Sequence, residues 1–312
     1  MIKVRQYTAD DRSLWDDFVR ASKNGTFLFQ RDYMDYHADR FTDHSLLIFA
    51  DDRLVAVLPA ARGDGGRIIS HGGLTYGGLV TGDRMTAALA LDVFSAVLDD
   101  CKAAGFVHLH YKPVPHIYHR QPAEEDLHAL FLCGARLCRS DLSSTIALRN
   151  PLGFAKSKRA GVKAAQKAEL SVAESRDFAG FSAILTETLA SRHGATPTHT
   201  REELELLAGR FPRDIRLFDA RKQGQICAAI LMFDCGPTVH AQYIASTLQG
   251  RELGAIDAIV SHLVIEVFPD RLWFDFGIST VNQGRDLNVG LSRQKEMYGA
   301  RTTVYQQYMI DL

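Results

Sequence analysis

The sequence predicts an α/β fold with mixed sheets, built as two consecutive domains at residues 1–150 and 151–312. At 312 residues with 46% hydrophobic content, the chain exceeds what one hydrophobic core usually serves. Both halves alternate strand patterns, apolar at every second residue, with helix patterns of 3.6-residue period. The order of elements is similar in the two halves, although no residue-level repeat is visible. We therefore predict a tandem duplication of one α/β unit.

Alternating apolar residues and turn-forming glycines delimit the elements of the first half. The pattern predicts, in order, a strand at 2–7, a helix at 10–22, strands at 45–50 and 54–61, a helix at 86–104, a strand at 107–111, a helix at 124–133 and a strand at 137–148. The two adjacent strands form a hairpin. We expect a central, mostly antiparallel sheet flanked by helices.

The second half is predicted to begin with a basic helix and then to follow the same kind of order. The predicted elements are a helix at 151–167, a strand at 170–174, helices at 178–190 and 201–211, strands at 215–221, 225–233 and 239–245, a helix at 254–267, a strand at 272–276, a helix at 287–297 and a last strand at 302–312. In the basic helix, Lys156, Arg159, Lys163 and Lys167 share one face at spacings of three and four residues. This face either binds phosphate or is a solvated connector.

Composition excludes several functional classes. The net charge of −1 gives no general attraction to DNA or to an anionic membrane. No apolar run is long enough for a membrane span, and the first residues lack a signal-peptide core, so a cytoplasmic protein is expected. Five cysteines without a CxxC pair indicate reduced thiols, and the histidines at 108, 110, 116 and 119 lack a carboxylate or thiolate at a short fixed spacing. No metal is expected, and the oligomeric state is left open.

The last forty residues place charged side chains in and near an apolar segment. Asp275 lies in the apolar run Leu272 to Ile278, and Lys295 follows some twenty residues later beside Arg293 and Gln294. A carboxylate at a strand end either faces a cleft or is buried with a partner. The cationic groups of Arg293 and Lys295 could bind an anionic substrate. The structural alternative is an ion pair between Asp275 and Lys295.

The order of elements in the second half resembles the GNAT acyltransferase fold. In that fold a central strand separates from its neighbour, and the helix that follows receives the pyrophosphate of acyl-CoA. The segment His240 to Ser246 matches the strand, and Gln249 to Ala255 matches the turn into the helix. Amide groups at a helix N-terminus, a glycine and an arginine favour a diphosphate. The resemblance assigns acyl-CoA binding to five residues, namely Ile244, Ala245, Arg251, Gly254 and Ala255.

The whole chain resembles the tandem-GNAT group that includes the Fem-type aminoacyl transferases and acetyltransferase-like proteins of bacterial surface-polysaccharide clusters. The likeness rests on the segments 27–30, 112–118, 172–175, 243–246, 274–279 and 294–299, in this order along the chain. In Fem-type enzymes a lysine of the last segment lies near the reacting ester, which points to Lys295. Gln294 stands where those enzymes carry an aromatic residue.

These observations predict transfer of an acyl group, in particular acetyl, from acyl-CoA to an amine of an amino sugar or amino-acid-like acceptor, such as a sugar nucleotide. Asp275 or His240 is the expected base, Tyr243 the expected proton donor, and Lys295 with Arg293 the expected anion clamp. Strict alternation would place His240 with Gln242 on one face of their strand and Tyr243 on the other. The expected acceptor contacts are His193, Gln242, Ser279, Arg293, Gln294 and Tyr118.

Two alternatives remain open at this stage. One is a Fem-type transferase that takes its donor from aminoacyl-tRNA and acts on a cell-wall precursor; the neutral net charge disfavours tRNA, although the basic helix alone could grip it. The other is a non-catalytic GNAT-like protein that binds a polysaccharide precursor or a partner enzyme.

Overall fold

The structure is a computed structural model. It describes residues 1–193 and 197–312, and for residues 191–193 it describes the backbone alone. The strands are β1 (Ile2–Gln6), β2 (Leu46–Ala50), β3 (Arg53–Leu58), β4 (Ala61–Arg62), β5 (Arg67–Ile69), β6 (Val80–Thr81), β7 (His108–Tyr111), β8 (Arg136–Ala147), β9 (Ser171–Ser175), β10 (Ile215–Lys222), β11 (Gln225–Asp234), β12 (Thr238–Ser246), β13 (Trp273–Ile278), β14 (Thr280–Val281), β15 (Asp286–Leu287) and β16 (Arg301–Asp311).

The helices alternate with these strands, as the sequence predicts. They are α1 (Arg12–Ala21), α2 (Arg31–Met34), α3 (Ala87–Ala103), α4 (Glu125–Leu132), α5 (Lys156–Lys167), α6 (Phe178–His193), α7 (Arg201–Arg210), α8 (Leu248–Glu252), α9 (Ala255–His262) and α10 (Val289–Glu296). Parallel and antiparallel strand pairs both occur, so the predicted α/β class with a mixed sheet is confirmed.

The chain forms two compact units. The first comprises Met1–Leu142, Thr280–Asp286 and Val304–Leu312, and the second comprises Ser143–Ser279 and Leu287–Thr303. Two short segments from the C-terminal part of the chain are therefore grouped with the first unit. The predicted single boundary between residues 150 and 151 would assign both of these segments to the second domain.

The first unit contains an antiparallel sheet in the order β1-β2-β3-β6 and a second set in the order β4-β5-β7-β16, where β5 and β7 are parallel. Helix α3 begins where the Thr86 hydroxyl accepts a hydrogen bond from the Leu89 amide. Its buried face carries Val93, Phe94 and Val97 into a core with strand residues such as Ile48. The apolar period of α3 thus supplies the core of this unit.

In the second unit the strand order is β8-β13-β12-β11-β10-β9, and only the β12–β13 pair is parallel among these. Helix α9 covers one face of this sheet, where Ile259 and Val260 pack against Ile230 and Met232. Helix α6 contacts β11 and β12. The helix predicted at 254–267 is present, with α-helical geometry in α9 up to His262 and a π-helical turn from Leu263 to Val267.

Two glycines allow α5 to lie directly on the start of α9. Gly254 has φ +72°, and a Cβ there would lie 2.3 Å from the carbonyl oxygen of Gly161. A Cβ on Gly161 would in turn lie 1.9 Å from the carboxylate of Asp257, which Lys158 of α5 binds at 3.0 Å. Both positions therefore exclude any side chain, and the contact fixes α5 against α9.

We predict that Gly254→Ala lowers the free energy of unfolding by about 2–4 kcal/mol, because the substitution combines a left-handed backbone with an overpacked contact. Urea unfolding at constant m-value measures the change. Gly209→Ala in α7 is the control, since no atom lies within 4 Å of its added Cβ. This control should gain about 0.5–1 kcal/mol through its helix preference. Equal stability of Gly254→Ala and wild type would contradict the packing described.

Candidate active site

Strands β12 and β13 separate from each other partway along their length. Their parallel pairing joins Thr238 with Trp273, Val239 with Phe274 and His240 with Asp275. Beyond His240 the ladder between them ends, within the described chain, while β12 continues to Ser246 along its other neighbour, β11. The two strands are therefore unpaired just after this point, which marks a candidate cleft, and the last pair before it consists of two ionisable residues.

Asp275 is completely buried, and its carboxylate is satisfied by hydroxyl and amide donors. Its Oδ1 accepts hydrogen bonds from Ser143 Oγ at 2.5 Å, Thr145 Oγ1 at 3.3 Å and the Gly277 amide at 3.2 Å. The register of β8 produces this arrangement, since Thr145 lies directly opposite Asp275. A buried carboxylate needs such donors to remain ionised.

The remaining oxygen of Asp275 binds His240. Nδ1 of His240 lies 2.8 Å from Oδ2, and the imidazole is 19% exposed. Because an ionised carboxylate only accepts hydrogen bonds, Nδ1 carries the proton and Nε2 carries the lone pair. Gly277, at φ +76°, lies beneath the ring, where a Cβ would be 3.3 Å from Cε1. The pair thus has the geometry of a histidine base oriented by a carboxylate.

Lys295 lies on α10 and is buried at 6% exposure. Its Nζ donates to the carbonyl oxygens of Gly277 and Ile278, each at 2.8 Å, and so ties α10 to the end of β13. Burial lowers the pKa of Lys295 from 10.5 to about 8, although nearby Asp275 acts to raise it. Lys295 is thus held by two carbonyl oxygens, whereas Oδ2 of Asp275 lies 2.8 Å from Nδ1 of His240, and Asp275 acts on Lys295 through its charge.

A β-bulge at Gln242 changes which side chains of β12 share a face. Leu231 of β11 pairs with Tyr243 and Met232 pairs with Ala241, so Gln242 is an extra residue. The bulge resets the alternation, and His240 and Tyr243 then face the same side of the sheet. Consistently, Val239 and Ala241 belong to the core around α9, whereas Tyr243 contacts Phe181 of α6. The expectation from strict alternation that Tyr243 lies on the opposite face from His240 is wrong for this reason.

Tyr243 has a polar partner that the sequence reasoning did not identify. Its hydroxyl lies 2.7 Å from Nδ1 of His199, and the two rings meet edge to face with centroids 5.8 Å apart. Burial raises the pKa of the Tyr243 phenol. His199 directly precedes Thr200, the N-cap of α7, so the helix-start signal Thr200-x-x-Glu203 marks its position. The histidine predicted from the sequence to contact the acceptor is His193, whose side chain lies outside the described part of the chain.

The turn predicted to bind a diphosphate is a short helix, α8. Two of its amides bond internally: the Gly250 N–H donates to Thr247 Oγ1 at 3.0 Å, and the Arg251 N–H donates to the Thr247 carbonyl at 3.1 Å. The Arg251 guanidinium donates to the carbonyl of Ser246 at 3.3 Å. Gly254 adjoins α5 as described above, Ala245 and Ala255 are buried, and Ile244 packs partly against the α9 core.

The other predicted contacts lie in different surroundings. Arg293 and Gln294 are exposed on α10, two residues and one residue before Lys295, respectively. Ser279 is buried and approaches Ser144, with 3.5 Å between their hydroxyl oxygens. Tyr118 is buried in an aromatic cluster of the first unit, where its hydroxyl lies 2.7 Å from that of Tyr305.

The described residues also bear on metal binding and on membrane spans. Among the described residues, no group of three histidine, cysteine, aspartate or glutamate side chains is placed to hold a metal ion. In the same part of the chain, every helix is too short or too polar to cross a membrane.

The lowered pKa of Lys295 predicts a pH-dependent stability. The folded state holds fewer protons than the unfolded state between the folded pKa of about 8 and the ordinary 10.5. The unfolding free energy of the wild type should therefore rise across this window relative to Lys295→Met, by about 2–3 kcal/mol on the scale of 1.36 kcal/mol per pKa unit. Urea unfolding at pH 7.5 and pH ~10 measures this difference.

The matched control is Lys163→Met, because Lys163 is exposed on α5. This variant should follow the pH dependence of the wild type. A constant difference between wild type and Lys295→Met over the whole window would contradict the burial of the ammonium group.

Comparison with known proteins defines the fold. No protein-family model and no curated protein matches the sequence. Among solved structures, FemX is similar at 12% identity over 97% of this chain and 96% of its own, with a TM-score of 0.69. L-PGS from Bacillus licheniformis is similar at 13% identity over 97% and 92%, with a TM-score of 0.62. A tandem GNAT protein from the clavulanic acid biosynthesis pathway is similar at 11% identity over 100% and 98%, with a TM-score of 0.51. The chain thus has a tandem-GNAT fold similar to that of FemX, as the sequence predicted.

Proposed function

We propose that this protein is a transferase that moves an acyl group from an activated donor to the amine of a small acceptor. The observation that carries the proposal is the His240–Asp275 pair at the point where β12 and β13 separate. Aminolysis of a thioester or ester needs a base for the amine proton, a donor for the carbonyl oxygen and an acid for the leaving group. The cleft supplies candidates for all three.

His240 is the proposed base. Its Nε2 takes the proton of the attacking amine, and the ionised Asp275 stabilises the imidazolium that forms. The amine nitrogen bonds to the donor carbonyl carbon, and the bond to the leaving sulfur or oxygen then breaks. No covalent enzyme intermediate is needed. Backbone amides along Tyr243 to Ala245, beyond the last β13 pair, are the proposed donors to the developing oxyanion.

Tyr243 is the proposed acid, since the bulge places it on the same face as His240. Its phenol gives a proton to the departing thiolate or alkoxide. Lys295 is bound to the carbonyls of residues 277 and 278, so its proposed role is to hold the end of β13 and to add positive charge there. Arg293, exposed on the same helix, is then the proposed contact for an acceptor phosphate or carboxylate.

The proposed donor is an acyl-CoA, in particular acetyl-CoA, and the proposed acceptor is an amino sugar or an amino-acid-like amine in cytoplasmic cell-envelope synthesis. One structural neighbour, the tandem GNAT protein, was solved without AcCoA, and the GNAT fold that it shares with this chain is the basis for proposing this donor. In this chain Arg251 and the exposed start of α8 at Leu248 lie at the end of β12, where a diphosphate would approach.

The second candidate donor is aminoacyl-tRNA, and one specific observation favours it. The α8 amides of Gly250 and Arg251 bond internally, and the Gly161 carbonyl occupies the space beside Gly254. Both features leave a diphosphate fewer partners than the GNAT turn usually offers. Four cationic residues of α5 are exposed and could contact a nucleic acid backbone, namely Lys156, Arg159, Lys163 and Lys167.

Thermal unfolding with and without acetyl-CoA separates these donors. At a concentration one hundred times its dissociation constant, a bound ligand adds about 2.7 kcal/mol of stability and so raises the Tm. We expect acetyl-CoA and free CoA to raise the Tm of wild type, and Arg251→Gln to reduce the shift. An unchanged Tm, together with salt-dependent binding of aminoacyl-tRNA, would indicate that aminoacyl-tRNA is the donor and that acyl-CoA is not. Sugar-nucleotide binding without turnover on either donor would indicate a binding protein.

The base assignment predicts that His240→Ala and Asp275→Asn each lower kcat by about 10²–10⁴-fold, the usual contribution of a positioned base. Initial rates of acyl transfer measure the effect, and circular dichroism checks folding. His262→Ala is the control, because His262 pairs with Glu266 on the surface of α9. Full activity in both site variants would remove the pair from the mechanism.

A further inference from the structure

The hydrogen bond between His199 and Tyr243 joins two elements that are fixed independently. Tyr243 follows the bulge of β12, and its backbone is paired with Leu231. His199 precedes α7, whose first turn is closed by reciprocal bonds between Thr200 and Glu203, at 2.8 Å and 3.2 Å. The distance of 2.7 Å between Nδ1 and the hydroxyl is therefore set by rigid elements on both sides.

The direction of this bond decides where the phenol proton points. If Nδ1 accepted, the phenol proton would be directed at His199 and away from the cleft. If Nδ1–H donates, the phenol oxygen accepts from His199 and its own proton is directed elsewhere. Only the second arrangement lets Tyr243 act as an acid towards a leaving group, and only it stabilises a tyrosinate by a charge-assisted bond.

We propose that His199 is a positioning residue for acyl transfer, which donates Nδ1–H to the Tyr243 oxygen and turns the phenol proton towards the leaving group. This inference rests on the proposed function. In the step, the phenol O–H bond breaks and the proton forms a thiol or hydroxyl with the leaving atom. The tyrosinate keeps the electron pair, accepts the bond from His199, and regains a proton from water. His240 meanwhile releases the amine proton to solvent, so the charges balance.

The surroundings of Tyr243 favour this role. His199 is 9% exposed, and the ring of Phe181 covers Tyr243 from α6. Further hydrogen bonds to the phenol come from the backbone amides of Thr198 and His199 and from the side chains of Thr198 and Gln242. The titratable residues near it include, in the described part of the chain, His199 from the start of α7 and His240 on its own strand face. Of these two, His199 is the one whose ring nitrogen lies within hydrogen-bond distance of a tyrosinate formed here.

Three variants test the inference in the transfer reaction. His199→Leu should lower kcat by about 10–100-fold, the value of a hydrogen bond to a charged group, with KM nearly unchanged. Loss of the donor also makes the phenol a weaker acid, so the alkaline limb of the kcat–pH profile should move to higher pH. His199→Asn keeps an N–H donor near the position of Nδ1 and should retain most activity, whereas His199→Gln, which reaches the Nε2 position, should resemble His199→Leu.

Nitrogen-15 NMR of the histidine rings tests the inference without any substrate. In the wild type, Nδ1 of His199 should carry the proton, and Tyr243→Phe should change its shift. An Nε2–H tautomer with unprotonated Nδ1 overturns the inference. So does a His199→Leu variant with wild-type kcat and an unmoved alkaline limb. If the wild type transfers no acyl group from any donor, the proposed function fails, and the tautomer alone decides the role of His199.

Discussion

The carboxylate of Asp275 is the constraint on which the second unit depends. A fully buried charge is tolerated only when its oxygens are bound, and the bonds from Ser143, Thr145, Gly277 and His240 meet this need. These partners come from three adjacent strands, so the carboxylate holds β8, β13 and β12 in register at one level. It also sets the place where β12 and β13 part. The same interaction therefore organises the sheet and orients the imidazole.

Much of this arrangement could be predicted from sequence. Apolar periodicity and turn residues identified the principal strands and helices, and a lone aspartate in an apolar run pointed to Asp275. The histidine partner was one of two expected bases. Its pairing with Asp275 could not be predicted, because it depends on the parallel register of strands that are separated by α8 and α9. Short strands such as β4, β6 and β14, of two residues each, carry too few side chains for a pattern.

The failures of prediction share one physical cause, which is local departure from ideal geometry. The bulge at Gln242 inserts one residue into β12 and exchanges the faces of all later side chains, so alternation misplaced Tyr243 relative to His240. Likewise, the glycine of the presumed phosphate turn serves the packing of α5, since the carbonyl of Gly161 fills the adjacent space. A glycine in a sequence motif shows that close approach is required, but not which group approaches.

Lys295 connects α10 with the end of β13. Its Nζ donates to two carbonyl oxygens, and burial lowers its pKa to about 8. Asp275 opposes burial by favouring the ammonium form, so the protonation of Lys295 depends on the charge of the His240–Asp275 pair. In the proposed transfer, where His240 would become an imidazolium, the net charge of that pair would rise from −1 to 0. The stabilisation of the Lys295 ammonium by Asp275 would then weaken. Under the proposed function, the lysine that holds the end of β13 would thus be electrostatically coupled to the base through Asp275.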